Sequence, residues 1–161
     1  MIRKATLQDI PSIQHIVKVT WPETYGEILS AEQIVYMLDL FYSTEALARQ
    51  MENGHCFFIL TGNGAALGFI DIEKISDTRS KLHKIYLLPG SQGKGYGNTL
   101  IQHAAEAAMN NASSVLQLNV NRYNIAVNFY KRHGFAIVDE VDIPIGNNYF
   151  MNDYVMEKIL E

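Results

Sequence analysis

Apolar positions along the chain change their period several times, and those changes divide it into elements. Residues 2–5 read as a short strand. Thr6 with Asp9 forms a capping-box pattern and Pro11 suits a first helical turn. Ile10, Ile13, Ile16 and Val17 then follow at helical spacing. The run Trp21-Pro22-Glu23-Thr24-Tyr25-Gly26 predicts a break in that helix, because Pro and Gly punctuate helical patterns. Ser30 with Gln33 is a second capping box, leading into Ile34, Val35, Met37, Leu38 and Phe41. Ser43 opens a third helix through Leu47 to Met51, which Asn53-Gly54 stops.

Strand patterns dominate from there. Residues 56–61 and 66–75 are two strand-like runs joined by Gly62-Asn63-Gly64, a hairpin signal. A polar turn at 76–80 leads to an apolar run at 82–88 that ends at Pro89. Leu100, Ile101, Ala104, Ala105 and Ala108 return to helical spacing, with Gln102, His103 and Glu106 on the opposite face. Leu116-Gln117-Leu118-Asn119-Val120 alternates as a strand, and a helix-like segment follows from Asn124. Residues 136–141 read as a strand, 144–148 as a loop and 149–160 as a last strand. The order β-α-α-α-β-β-β-α-β-α-β-β predicts an α/β fold with a central mixed sheet and helices on both faces.

Composition narrows the class. A chain of 161 residues, 48% hydrophobic and 19% charged, suits one globular domain spanning 1–161. Its net charge of -4 argues against a general nucleic-acid binder. Cys56 is the single cysteine, so no disulfide can form within the chain, and a cytoplasmic home is expected. No apolar run reaches the ~18 residues of a membrane-spanning helix, and the first residues lack the apolar core of a signal peptide, so no membrane partner is expected. His15, His55, His83, His103 and His133 are scattered without ligand spacing, and no metal is expected. A homodimer is compatible with the sequence.

The most informative stretch is Gln92-Gly93-Lys94-Gly95-Tyr96-Gly97-Asn98, between the strand at 82–88 and the helix that follows. A glycine-rich turn at a helix N-terminus presents backbone N–H groups and a positive dipole end to an anion. Glycines let the backbone approach a phosphate without a Cβ in the way. A Walker A loop would need Ser or Thr after Lys94, where Gly95 stands. A dinucleotide fingerprint would need an acidic residue about twenty positions on, where Gln117 stands.

The run instead fits Q/R-x-x-G-x-G/A, with Gln92, Gly95 and Gly97 in the fixed places. It resembles the acetyl-CoA pyrophosphate loop of the GNAT superfamily of N-acetyltransferases. One helix and one strand further on, the segment from Asn124 through Ala126, Phe129 and Tyr130 to Gly134-Phe135 is similar to that superfamily's N-x-x-A-x-x-F-Y-x-x-x-G-F segment. The resemblance is sharp over residues 82–135 and extends as element order over about 1–160. It implies the GNAT fold, here with one helix more than the usual N-terminal pair. It also implies an acetyl-CoA-dependent N-acetyltransferase that transfers directly within a ternary complex.

The resemblance assigns residues too. The backbone of Ile85, Tyr86 and Leu87 would pair with the pantetheine arm; Gln92, Gly93, Lys94, Gly95, Tyr96, Gly97 and Asn98 would hold the pyrophosphate, with Lys131 near the phosphates. Asn124 would bond the pantetheine amide, and its alternative role is a helix cap. Tyr130 stands where the family places the tyrosine beside the CoA sulfur, and a phenol with an ordinary pKa of about 10 can donate to a forming thiolate. Its alternative role is a core tyrosine. The family often carries Glu near position 83, where this chain has His83. Strand alternation puts that side chain with Ile85 and Leu87, where it could take a proton directly or through water; the alternatives are a structural histidine and a water chain with no single base. Trp21, Tyr25 and Tyr36 fall where the acceptor-side loop and helix usually sit, and their alternative role is core packing. Short matches near 24–26, 43–47 and 149–158 resemble bacterial polyamine acetyltransferases. Glu23, Glu27, Asp139, Glu140, Asp142 and Asp153 would attract a polycation. A small primary amine, a polyamine in particular, is therefore the expected acceptor. The alternatives are a protein N-terminus or lysine, or a non-catalytic acyl-CoA sensor.

Overall fold

Strands and helices follow one another in the computed structural model, which describes Met1 to Glu161, in the order that the pattern predicts. They are β1 (Ile2–Lys4), α1 (Ile10–Tyr25), α2 (Ala31–Tyr42), α3 (Thr44–Glu52), β2 (His55–Gly62), β3 (Ala65–Lys74), β4 (Arg79–Leu87), α4 (Tyr96–Asn110), β5 (Val115–Asn121), α5 (Ala126–Arg132), β6 (Ala136–Gly146) and β7 (Tyr149–Ile159).

Local chemistry explains most boundaries. The Thr6 N–H donates to Asp9 Oδ2 at 2.8 Å ahead of α1, and the Arg3 guanidinium grips both oxygens of Asp9 at 2.9 and 2.8 Å. Ser30 Oγ and Ser43 Oγ accept from the N–H groups of Gln33 and Ala46, each at 3.1 Å, and so start α2 and α3. The Gln33 side chain does not complete a capping box: it donates to the Phe150 carbonyl at 3.0 Å and ties α2 to β7.

Two expected breaks are displaced. The α1 helix does not end at Trp21-Pro22 but runs on to Tyr25 with Pro22 inside it. Proline removes one intrahelical hydrogen bond. The turn is held nevertheless by Trp21, only 4% exposed, whose ring packs 4.7 Å from that of Tyr25 one turn on. The loop expected at 144–148 shrinks to Asn147-Asn148, both at positive φ (55° and 61°), and β6 continues through Pro144 to Gly146. As β6 is an edge strand, the missing N–H of Pro144 can be tolerated there. The first hairpin likewise turns on two residues, Asn63 and Gly64, with φ of 53° and 78°.

The sheet order is β1-β2-β3-β4-β5-β7-β6, antiparallel throughout except for the parallel pair β4–β5. Its two faces carry separate cores. Phe57, Ile59 and Phe69 pack on Ile13, Ile16, Val17 and Leu47 of α1 and α3. Leu60, Ile70, Leu82, Leu116, Leu118 and Met156 pack on Leu100, Ile101, Ala104 and Ala108 of α4 and Val127 of α5. The mixed sheet with helices on both faces is thus as the sequence predicts.

Two irregularities position the site. The β3–β4 ladder pairs Asp71 with Lys84 but Ile72 with Leu82, which leaves His83 as the extra residue of a bulge. The parallel β4–β5 ladder ends at the Leu82–Leu118 pair, although β4 runs on to Leu87 and β5 to Asn121.

Candidate active site

Beyond Leu82 and Leu118 the two central strands part, and a cleft of about 940 Å³ opens through the sheet between them. It is lined on one wall by residues 81–87 of β4 and on the other by Leu118, Asn119, Val120 and Asn121 of β5. Ile85, Tyr86 and Leu87 all lie on its wall, where the β4 edge facing β5 is free of a partner strand and can offer backbone groups to an extended ligand. Tyr86 also sends its side chain to the face of α1.

The glycine turn stands at the mouth. Gly93 and Gly95 have φ of 76° and 83°, a left-handed conformation that glycine adopts without strain, and a Cβ at either would meet nothing within 4 Å. Space therefore lies open above the backbone at the start of α4. Gly97 differs: a Cβ there would press on the Phe129 ring at 3.4 Å, so this glycine lets α4 close on α5. Gln92 folds back, its Nε2 donating to the Leu87 carbonyl at 3.3 Å. Lys94, Asn98 and Lys131 are exposed, and Tyr96 is half-buried against the α4 core. These residues could hold a pyrophosphate without rearranging the core.

Tyr130, on the last turns of α5, is 8% exposed and lines the cleft between Phe129 and Phe135. Burial pushes its phenol well above the ordinary value, with the Tyr25 phenol adding to the shift, so it stays protonated and able to donate at neutral pH. Asn124 does cap α5, its Oδ1 accepting from the Ala126 N–H at 2.9 Å, and it lines the cleft as well.

His83 is not on the side that simple alternation gives. The bulge turns it away from Ile85 and Leu87 to the face of α1–α3, shared with Lys84 and Tyr86. There its Nε2 stands 2.9 Å from Glu73 Oε1, and its ring stacks on His55 with centroids 4.4 Å apart. Burial pushes it down to about 4, against the pull of Asp71 and the bond to Glu73, so the ring is neutral at pH 7. It remains on the cleft wall.

On the side of α1 the cleft wall is aromatic. Trp21, Tyr25 and Tyr86 cluster with ring centroids 4.7 and 6.1 Å from Trp21, and the Tyr25 and Tyr86 hydroxyls are 3.1 Å apart. Burial raises both phenols. Trp21 Nε1 is buried without a partner. Tyr36 does not join this wall: it donates to the Ile145 carbonyl at 2.6 Å and packs on Tyr149, and so fastens α2 to the β6–β7 hairpin outside the cleft. The α2 helix presents Met37 and Phe41 to the cleft instead.

The acidic set divides. Glu23, Glu27 and Asp153 line the cleft, whereas Glu140 and Asp142 lie outside it, paired with Arg122 at 3.3 and 2.8 Å, and Asp139 is exposed on β6. Asp153 is the residue that sequence reasoning undervalued. It is 6% exposed on the same face as Asn119 and Asn121, because Leu116, Leu118 and Val120 take the other face of β5. Burial raises its carboxyl, opposed by a bond with Asn119 and the charge of Lys81. Asn119 Oδ1 has no partner, and burial lowers the Lys81 ammonium. The only sequence signal for this group was the polar half of the β5 alternation.

A sheet that opens between two parallel strands beside a glycine-rich helix start defines an enzyme class, the acyl-CoA-dependent N-acyltransferases. The chain belongs to the GNAT family: residues 28–145 match its acetyltransferase (GNAT) domain. It is similar to a spermidine N(1)-acetyltransferase of Thermoplasma acidophilum, with 28% identity over 99% of this chain and 97% of that protein. The crystal structure of the PaiA N-acetyltransferase from T. acidophilum in complex with coenzyme A matches with a TM-score of 0.84 and 27% identity, covering 99% of this chain and 98% of that one. The ribosomal-protein-S18-alanine N-acetyltransferase of Escherichia coli shares the fold, with a TM-score of 0.75 and 21% identity over 100% and 94% of the two chains. The protein is an acetyl-CoA-dependent N-acetyltransferase, and acetyl-CoA is its co-substrate. No helix is long and apolar enough to cross a membrane.

Proposed function

We propose that the acceptor is a primary amine of a polyamine, of the spermidine type, and that the acetyl group passes to it directly within a ternary complex. The observation that carries this reading is the placement of Asp153: a buried carboxylate deep in the cleft, with Glu23 and Glu27 on the lining nearer solvent. A chain with several ammonium groups can satisfy charges at separated depths, and the carboxylates raise its local concentration. The name of the T. acidophilum relative points to the same acceptor class.

In the reaction the neutral amine nitrogen attacks the thioester carbonyl, the C–S bond breaks, and the sulfur leaves as a thiolate. Tyr130 gives that sulfur its proton and recovers one from solvent. The nitrogen loses its proton to His83, directly or through one water, with Glu73 behind the ring. The backbone of Ile85, Tyr86 and Leu87 aligns the pantetheine arm, Asn124 bonds its amide, and the turn 92–98 with Lys131 holds the phosphates. Trp21 and Tyr25 flank the methylene stem of the amine. The single, half-buried Cys56 suits a reducing compartment such as the cytoplasm.

The test is an acceptor panel with acetyl-CoA, read as free thiol: spermidine, spermine, putrescine, aminoglycosides and peptides with free N-termini. Polyamines should give the highest kcat/KM. A peptide acetylated far faster than any polyamine would replace this acceptor with a protein N-terminus.

A further inference from the structure

Around His83, the base proposed above, the fold gathers a cluster that no sequence spacing announces. His55 begins β2, Glu73 lies opposite it near the end of β3, and the bulge brings His83 alongside. His55 Nε2 is 3.5 Å from Glu73 Oε1 and His83 Nε2 is 2.9 Å from the same oxygen, and one ligand atom from each residue lies within 4.8 Å of the others. Two ligand atoms bound at ~2.0–2.1 Å to zinc at the tetrahedral angle stand about 3.3–3.4 Å apart, a spacing these distances bracket.

Hydrogen-bond direction sharpens the point. His55 Nδ1 is 2.7 Å from Asp71 Oδ2, a fully buried carboxylate that can only accept, so Nδ1 carries the hydrogen. In the neutral ring the Nε2 lone pair of His55 then faces the carboxylate of Glu73 at 3.5 Å, acceptor to acceptor. A cation at that point satisfies both. A buried carboxylate holding the remote nitrogen of a histidine is the arrangement that orients imidazole ligands at metal centres.

We propose that His55 Nε2, Glu73 Oε1 and His83 Nε2 bind a divalent transition-metal ion of the zinc type, with Asp71 fixing the His55 ring and water completing the coordination. Two imidazoles and one carboxylate favour zinc, cobalt or nickel over magnesium or calcium, which take oxygen ligands. The ion ties together β2, β3 and β4 at the point where the bulge interrupts their ladder. His83 takes up the Nδ1–H tautomer on binding, so that both Nε2 atoms offer lone pairs, and a metal-bound His83 no longer serves as the base.

Titration of the metal-stripped protein with Zn²⁺ against a chromophoric chelator tests this. One equivalent should bind, with affinity at least tenfold weaker in His55→Gln and in Glu73→Gln and unchanged in His103→Gln, a histidine on the far helix face. Co²⁺ should give the visible absorption of a low-coordinate nitrogen and oxygen site in the wild-type chain. Zn²⁺ should raise the Tm of the wild type and not of folded His55→Gln. Absence of stoichiometric uptake, or uptake equal in wild type and His55→Gln, overturns the proposal and leaves the cluster as an ion pair in which a doubly protonated His55 bridges Asp71 and Glu73. Acetyl transfer measured in chelator is independent of that outcome, so the two readings fail separately.

Discussion

Lys84 Nζ sits 2.8 Å from Asp71 Oδ2 beneath the aromatic wall, with the carboxylate fully buried and the lysine 9% exposed. The ammonium also donates to Gln50 Oε1 at 2.8 Å and lies 5.3 Å from the centre of the Phe57 ring. Burial alone would raise the Asp71 carboxyl, but the bonds from His55 and Lys84 outweigh it and hold it low. Removing one partner of such a pair leaves a charge without compensation, at a cost of about 3–5 kcal/mol. Lys84→Met should therefore unfold at much lower urea than the wild type. Adding Asp71→Asn should recover part of the loss, since the orphaned charge goes with it.

Tyr130→Phe removes only a hydroxyl. We expect kcat to fall by about 10²–10⁴ with coenzyme A affinity and the unfolding midpoint unchanged. A kcat within a few-fold of wild type would make Tyr130 a packing residue and solvent the proton donor.

Gly95→Val tests the turn. The residue needs φ of 83°, which a β-branched side chain resists, and open space surrounds its Cβ position. Calorimetry should show coenzyme A binding weakened more than tenfold while circular dichroism keeps its wild-type form. Retained affinity would remove the turn from the cofactor site.

Asp153→Asn separates function from stability. The raised carboxyl means that the folded state disfavours the charge, so this group adds stability only at low pH, and that contribution is lost as pH rises through its elevated pKa. At pH 7 the Asn variant should be as stable as the wild type or more so. Its KM for spermidine should nevertheless rise, and the salt dependence of KM should weaken, because the attraction is screened over about 8–10 Å. An unchanged KM would take Asp153 out of acceptor binding.

Asp9 gives the opposite sign. Arg3 holds its carboxyl down to about 2, below its unfolded value of about 3.9. The stabilisation is present above the unfolded pKa and disappears as pH falls through 2. Urea midpoints of wild type and Asp9→Asn should differ at pH 6 and converge toward pH 2.

The sequence discloses what depends on local period. Both cores follow from apolar spacing in α1, α4 and β5, and the Ser30 and Ser43 caps are readable because a cap is decided within four residues. His83 is misplaced by alternation because a bulge depends on how two strands pair, and neither strand reveals it alone. Trp21-Pro22 reads as a break because the packing around Trp21 that overrides proline includes Tyr86 of distant β4 as well as Tyr25. Asp153 stays inconspicuous in the polar pattern of β7 until pairing with β5 sets it beside Asn119 and Asn121. Tyr36 and Met37 differ by one residue, and which of them meets the cleft depends on the roll of α2 against the hairpin.

The parting of β4 and β5 makes the sheet a partition with a slot in it, and a slot has two mouths. On one side stand α4 and α5; on the other stand α1, α2 and the aromatic wall. Two substrates arriving from opposite sides need not displace each other, so neither has to leave before the other enters. The mouths also draw on different parts of the chain. Substitutions around Trp21, Tyr25, Glu23 and Glu27 can reshape one entrance without touching the glycine turn at the other. If the acceptor enters as proposed above, such a division lets new acceptors be tried by mutation while the glycine turn is kept.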